Sequence, residues 1–170
     1  DDHFILELFH GPTLAFKDFA MQIISRMFDI ILKRENRKIS IVTATSGDTG
    51  SAAVEAFKYS ERANLFVLYP YERVSELQRK QMTTVGSANI KIFAVKGTFD
   101  DCQAIVKNLF KDIELREAVN LAGVNSINWA RILAQIVYYF SAYLQISKKK
   151  SNINFSVPTG NFGDAYAGYV

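Results

Sequence analysis

A lysine set between two phenylalanines, just after a Gly-Pro turn, is the first residue here whose surroundings suggest chemistry. The stretch is Phe9-His10-Gly11-Pro12-Thr13-Leu14-Ala15-Phe16-Lys17-Asp18. Gly11-Pro12 makes a turn and a helical pattern follows. Lys17 therefore falls in the first turn of a helix, at its positive end. An amine must lose its proton to attack a carbonyl, and apolar neighbours beside a helix N-terminus work in that direction. A Schiff-base lysine would be placed this way. On local residues alone, the competing reading is a solvated lysine paired with Asp18.

A second loop, Thr43-Ala44-Thr45-Ser46-Gly47-Asp48-Thr49-Gly50, lies between a strand pattern and an Ala-rich helix. Small hydroxyl residues and glycines at a helix start expose backbone N–H groups, which bind carboxylate or phosphate. Capping by Ser46, Asp48 or Thr49 accounts for one residue of the run but not for all of it. A third loop, Pro158-Thr159-Gly160-Asn161-Phe162-Gly163-Asp164, also follows a strand pattern and opens a helix. Gly160 and Gly163 let the backbone approach a ligand closely. The spacing is neither the dinucleotide nor the nucleotide glycine pattern. From spacing alone, a structural turn explains it equally well. A fourth segment, Asn125-Ser126-Ile127-Asn128-Trp129-Ala130-Arg131, offers Asn, Ser and Arg as a phosphate clamp at a helix start. Asn capping with an Arg salt bridge is the alternative.

Parallel strands and helices must position these loops. Ile39–Ala44, Ala63–Tyr69, Asn89–Val95 and Ile153–Val157 read as short strands rich in β-branched and aromatic residues. Helical patterns cover 16–33, with Phe19, Ile23, Met27 and Ile30 on one stripe, and 49–59, which is Ala-rich. Others cover 75–83, capped by Ser75, and 99–112, with Cys102, Ile105, Val106 and Leu109 together. The last, 129–146, is apolar almost all round and reads as buried. Strand alternating with helix predicts an α/β fold, an open and mostly parallel sheet flanked by helices. Ligands bind such sheets beyond the carboxyl ends of the strands.

The 170 residues are 49% hydrophobic and 22% charged, with a net charge of +3. Disorder is excluded, and the charge is too mild to indicate a nucleic-acid or membrane partner. The run Lys148–Lys150 ends a helical pattern, where cations suit the helix dipole. A single cysteine, Cys102, and two histidines leave no internal disulfide and no metal cluster. A reducing, cytoplasmic compartment is the expectation. No stretch has the length of a membrane span. The apolar run behind Asp1-Asp2-His3 and the helical pattern running to Val170 read as a piece of a longer protein.

Taken in order, the four segments resemble threonine synthase. The matching residues are Glu7–Asp18, Thr43–Ala53, Asn125–Asn128 with Arg131, and Pro158–Asp164, spread over nearly the whole chain. That family belongs to the fold-type-II pyridoxal-phosphate enzymes of the tryptophan-synthase β type. The resemblance implies conversion of O-phospho-L-homoserine and water to L-threonine and phosphate. It implies Lys17 as the lysine that carries pyridoxal 5'-phosphate and then serves as general acid and base. Gly160, Asn161, Phe162, Gly163 and Asp164 would hold the cofactor phosphate. Ser46, Gly47, Asp48 and Thr49 would receive the substrate carboxylate and part of its phosphate. Asn125, Ser126 and Arg131 would bind the substrate phosphate. Residues 1–40 and 125–170 would belong to a larger lobe and 41–124 to a small mobile one. A homodimer is a family expectation.

Two features depart from the pattern. Many enzymes of this fold type carry Asn where Asp48 stands, against the cofactor's ring oxygen. A carboxylate there repels a phenolate unless it is protonated or turned away. The partner of the pyridine nitrogen should lie beyond Val170. A phospho-lyase on the same scaffold, releasing 2-oxobutyrate, and a non-catalytic relative are the alternatives.

Other conspicuous residues read as structural. Asp100 and Asp101 beside Cys102 work against a reactive thiolate. His10 reads as a hydrogen-bonded structural residue and Trp129 as core. Tyr138, Tyr139 and Phe140 read as helix packing, and Arg79 and Lys80 as solvated.

Overall fold

A computed structural model describes residues 3–125, 128–147 and 152–170. Ser126 and the Lys148–Lys150 run lie outside the described residues. The chain opens on helix α1 (Lys17–Arg34), followed by β1 (Ile39–Ala44), α2 (Asp48–Phe57), β2 (Ala63–Pro70), α3 (Glu76–Thr83) and β3 (Ile90–Val95). It continues with α4 (Phe99–Lys111), α5 (Ile113–Ala118), β4 (Leu121–Gly123), α6 (Trp129–Ile146) and α7 (Gly163–Tyr169).

All four strands are parallel, in the order β3-β2-β1-β4. Ile41 stands opposite Leu65 on one side and Ala122 on the other. Side chains alternate across the sheet, so each strand feeds two cores. Ile39, Ile41, Leu65 and Val67 join Met21 and Ile24 of α1, Val54 and Phe57 of α2, and Met82 of α3. Val42 and Leu68 meet Cys102 and Val106 of α4 on the opposite face. Helices thus cover both faces, the expected arrangement for a parallel sheet. Gly50, Ser51, Ala52 and Ala53 are all buried. Their small size lets α2 lie close to its neighbours.

Two expectations need correction, and two further features leave no pattern in the sequence. Ile153–Val157 forms no strand. A strand exists only when paired, and this segment instead runs past α6, where Phe155 meets Tyr139 edge-on with ring centroids 5.0 Å apart. The stripe Phe19, Ile23, Met27 and Ile30 of α1 is exposed, and the buried side is Ala20, Met21, Ile24, Ser25 and Leu32. Periodicity found the helix but could not say which of two apolar stripes this sheet would take. Helix α6 buries Arg131, Ile132, Ala134, Gln135 and Ala142, while Trp129, Leu133, Val137, Phe140 and Leu144 are exposed. Trp129 is therefore not core. Two short elements, α5 and β4, were missing from the sequence reading. At six and three residues they are too short to show a period. Asp112 caps α5, accepting from the Leu115 N–H at 3.0 Å, and β4 forms because the edge of β1 offers it a ladder.

Candidate active site

The second and fourth of the sequence-remote segments leave one end of the sheet. Strands β1 and β4 are parallel neighbours, so the loop after Ala44 and the loop after Gly123 leave the same edge. Helix α6 then starts beside that edge. Asn128 is its N-cap, accepting from the Ala130 N–H at 3.0 Å and donating to the Gly123 carbonyl at 3.0 Å. This cap, rather than Asn125, turns the chain from strand into helix.

Lys17 is the first residue of α1. The turn before it is built around Asp18, which is 3% exposed. The Asp18 carboxylate accepts from the Thr13 N–H at 2.9 Å, the Thr13 hydroxyl at 2.6 Å and the Ala15 N–H at 3.4 Å. Gly11 is required there, since a Cβ would come 2.4 Å from Asp18 Oδ2. Asp18 is thus committed to the loop and does not pair with Lys17. The Lys17 Nζ lies instead 3.3 Å from Oδ2 of Asp48, in the second loop, and 4.5 Å from the Phe16 ring centroid. Both neighbours attract an ammonium. Lys17 is thus held by an ion pair to Asp48, not Asp18, with the Phe16 ring beside it. His10 is exposed and lies 3.3 Å from Glu7, away from this arrangement.

The 43–50 loop has no side-chain cap. Its N-cap is Gly47, with φ of 144°. The loop is braced from within: the Thr45 hydroxyl oxygen accepts from the Gly47 N–H at 2.9 Å and the Gly50 N–H at 2.8 Å. Among the described residues, the N–H groups of Ser46, Asp48 and Thr49 make no hydrogen bond. Ser46 is exposed and Asp48 and Thr49 are half-buried, so these donors stand ready for an anion. The Asp48 carboxylate spans two partners: Oδ1 accepts from Gln78 Nε2 at 2.5 Å and Oδ2 faces Lys17 Nζ at 3.3 Å.

The phosphate-clamp candidates sit across the β4 edge. Gly123 makes room for Asn125, whose Oδ1 would lie 2.9 Å from a Cβ there. Arg131 is 2% exposed and donates one N–H to the Val124 carbonyl at 3.1 Å. Its Nε has no partner among the described residues, and it forms no salt bridge among them. Burial lowers the Arg131 pKa to about 10, against a smaller opposing pull from Asp164. A buried cation with a donor unpartnered among the described residues fits an anionic ligand.

The 158–164 loop is tied down by its own side chains. The Thr159 hydroxyl bonds the Asp164 carboxylate and accepts from the Phe162 N–H at 3.1 Å. Among the described residues, Phe162 takes the left-handed turn, with φ of 59°, and Gly160 and Gly163 do not. A bulky residue held in this region carries local backbone strain. Gly160 and Asn161 are exposed, and nothing stands within 4 Å of a Cβ built on Gly160. A cavity of about 440 Å³ lies beside the loop, lined by Tyr139, Thr159, Phe162 and Ala165 among others. A larger one, about 630 Å³, lies behind the Lys17 turn against Asp18, Phe19 and Tyr138, and Lys17 does not line it.

Side chains remote in sequence brace these loops. Tyr138 and Tyr139, adjacent on α6, each donate a hydrogen bond to a site loop. The first goes to the Phe16 carbonyl, and the second goes to the Asp164 carbonyl at 2.7 Å. Aromatic clustering gave no hint of those hydroxyl partners. Gln78 did leave a signal, the Ser75-x-x-Gln78 spacing of a capping box. Cys102 is fully buried, and burial, with Asp101 adding to it, raises its pKa, in keeping with an inert thiol.

The chain is similar to known proteins along nearly its whole length. A family model described as "Pyridoxal-phosphate dependent enzyme" matches residues 3–169. The threonine synthase of Pseudomonas aeruginosa is 53% identical over 169 residues, which is 99% of this chain and 36% of that protein. A crystal structure of pyridoxal-phosphate-bound threonine synthase from Brucella melitensis superposes with a TM-score of 0.88 at 53% identity, covering 97% of this chain and 36% of that one. The threonine synthase structure from Escherichia coli gives a TM-score of 0.89 at 48% identity, covering 96% and 38%. This chain spans about a third of the length of these relatives.

Proposed function

We propose, from the premise that the chain belongs to the pyridoxal-phosphate-dependent enzyme family and has its type-II fold, that the full-length protein is a threonine synthase acting on O-phospho-L-homoserine. The residues present fit a cofactor with an aldehyde and a phosphate. They include a primary amine, N–H donors at a helix start that are unused among the described residues, an exposed Gly160 loop and a buried guanidinium whose Nε is unpartnered among the described residues. The observation that carries the reading is the meeting of Lys17 and Asp48, 31 residues apart, at 3.3 Å. It puts the amine against the anion-binding loop.

When bound, pyridoxal phosphate supplies an electron sink for charge developing on the substrate's carbons. The chain's own residues supply position and protons. Lys17 would hold the cofactor and would move protons at the substrate's Cα and Cβ. The free N–H groups of Ser46, Asp48 and Thr49 receive the substrate carboxylate. Asn125, Ser126 and Arg131 receive its phosphate and hold it as the Cγ–O bond breaks. Gly160, Asn161, Phe162, Gly163 and Asp164 would hold the cofactor phosphate. Residues 41–124 form the lobe that closes to exclude water, and 1–40 and 125–170 belong to the other lobe. One buried cysteine suits a cytoplasmic setting, and a homodimer is part of the proposal.

The test uses full-length protein. Borohydride should fix the cofactor to Lys17, read as a mass shift on the peptide that contains it. O-phospho-L-homoserine should yield threonine and phosphate. A product of 2-oxobutyrate alone, or no adduct at Lys17, overturns the reading.

A further inference from the structure

We infer that Gln78 is a positioning residue for Lys17, acting through Asp48. Its amide fixes the carboxylate that holds the lysine whenever Lys17 is a free amine. The inference rests on Lys17 being the cofactor-bearing residue.

A chain of contacts runs from the start of α3 to the amine. Ser75 caps α3, its hydroxyl accepting from the Gln78 N–H at 3.2 Å and standing 2.9 Å from Gln78 Oε1. With Oε1 on that hydroxyl, Nε2 faces Oδ1 of Asp48 at 2.5 Å. The reverse amide orientation would set two oxygens against each other, so the contact defines the orientation. The second carboxylate oxygen, Oδ2, faces Lys17 Nζ at 3.3 Å.

Two features show that the place of Gln78 is built. Gly47 carries no side chain where Gln78 crosses it, and a Cβ there would come 2.3 Å from Gln78 Cδ. The Gln78 carbonyl also accepts from the Ser51 hydroxyl at 3.4 Å, tying α3 to α2. The Asp48 side chain is 46% exposed and on its own would sample several rotamers. Gln78 removes that freedom. The carboxylate is thereby given a fixed second partner, and Lys17 is held against the 43–50 loop.

The test is reductive methylation of cofactor-free, full-length protein with formaldehyde and a mild borohydride, mapped by mass to each lysine. A paired amine reacts slowly. Gln78→Met keeps the length and helix propensity but removes the donor, and should speed labelling of Lys17 roughly two- to fivefold, the range a half-exposed ion pair supports. Asp48→Asn should do the same, and adding Gln78→Met to it should change nothing more. Lys80, which pairs with Glu76 on the same helix at 2.7 Å, is the internal control and should keep its rate. Should Gln78→Met fail to fold, Gln78→Asn keeps the amide but withdraws its reach and should give the same release. Wild-type labelling in the Gln78 variant, or a further increase on top of Asp48→Asn, overturns the inference. Because no cofactor is present, this failure is distinct from failure of borohydride to fix the cofactor on the wild-type protein.

Discussion

The hydroxyl of Tyr138 donates to the main-chain carbonyl of Phe16, the residue immediately before Lys17. This bond fastens the first turn of α1 to α6, and the ring of Tyr138 also packs on Phe19 at 5.8 Å. Burial, with a smaller contribution from Asp18, pushes the phenol up to about 12. The unfolded state releases this proton near the ordinary value of 10 and the folded state only near 12. Between those values the unfolded chain holds fewer protons, so stability falls as pH rises. Tyr138→Phe should cost about 1 kcal/mol at neutral pH. The gap between wild type and variant should shrink between pH 10 and about 12. Urea midpoints measured across that range check both.

Arg131 invites the opposite result. It is a buried cation with one unpartnered N–H among the described residues. Replacing a poorly compensated buried charge with an apolar residue of similar length is often neutral or stabilising. Arg131→Met should keep or raise the melting temperature of the ligand-free protein. The same change should raise KM for a phosphorylated substrate by roughly ten- to hundredfold, the value of a lost charged hydrogen bond. Inorganic phosphate should stabilise wild type in a thermal melt and leave the variant nearly unmoved.

Much of this molecule can be read from the chain because its signals are local. Strand β1 and the Ser75 and Asn128 caps follow from residue type and spacing over a few positions. What could not be read depends on partners far along the sequence. Which apolar stripe of α1 faces the sheet is not legible locally, because both stripes are apolar and the choice belongs to the sheet. Ile153–Val157 has the composition of a strand but no described strand beside it. Lys17 carried its chemistry in a motif, while its partner Asp48 lies 31 residues away. A turn that commits Asp18 elsewhere made that partner available, and no pattern at the level of spacing reveals such an exchange.

Asp18 accordingly matters more to the fold than its place beside Lys17 suggests. It is 3% exposed, and its carboxylate gathers Thr13 and Ala15 into the turn. Asp18→Ala would leave those donors without an acceptor in a largely buried place. The expected cost is about 2–3 kcal/mol, with a faster exchange of the Thr13 amide hydrogen. Asp18→Asn keeps one acceptor oxygen and should cost less. Equal losses in the two variants would argue that shape, and not acceptor count, sets the turn.

Gly47 should be the least replaceable glycine. Its φ of 144° is one that side chains avoid, and its α-hydrogen faces the end of Gln78. Gly47→Ala brings backbone strain of about 1–3 kcal/mol together with a clash against Gln78. The clash displaces Gln78 and so unfastens Asp48, which means the site should suffer along with the fold. Gly86→Ala makes the contrast: nothing stands within 4 Å of a Cβ there, and φ is not in the left-handed range. That change should be neutral, or should stabilise by about 0.5 kcal/mol through the unfolded chain. Urea denaturation gives the fold effect for both. Lys17 methylation rates give the site effect, and only the Gly47 variant should label faster.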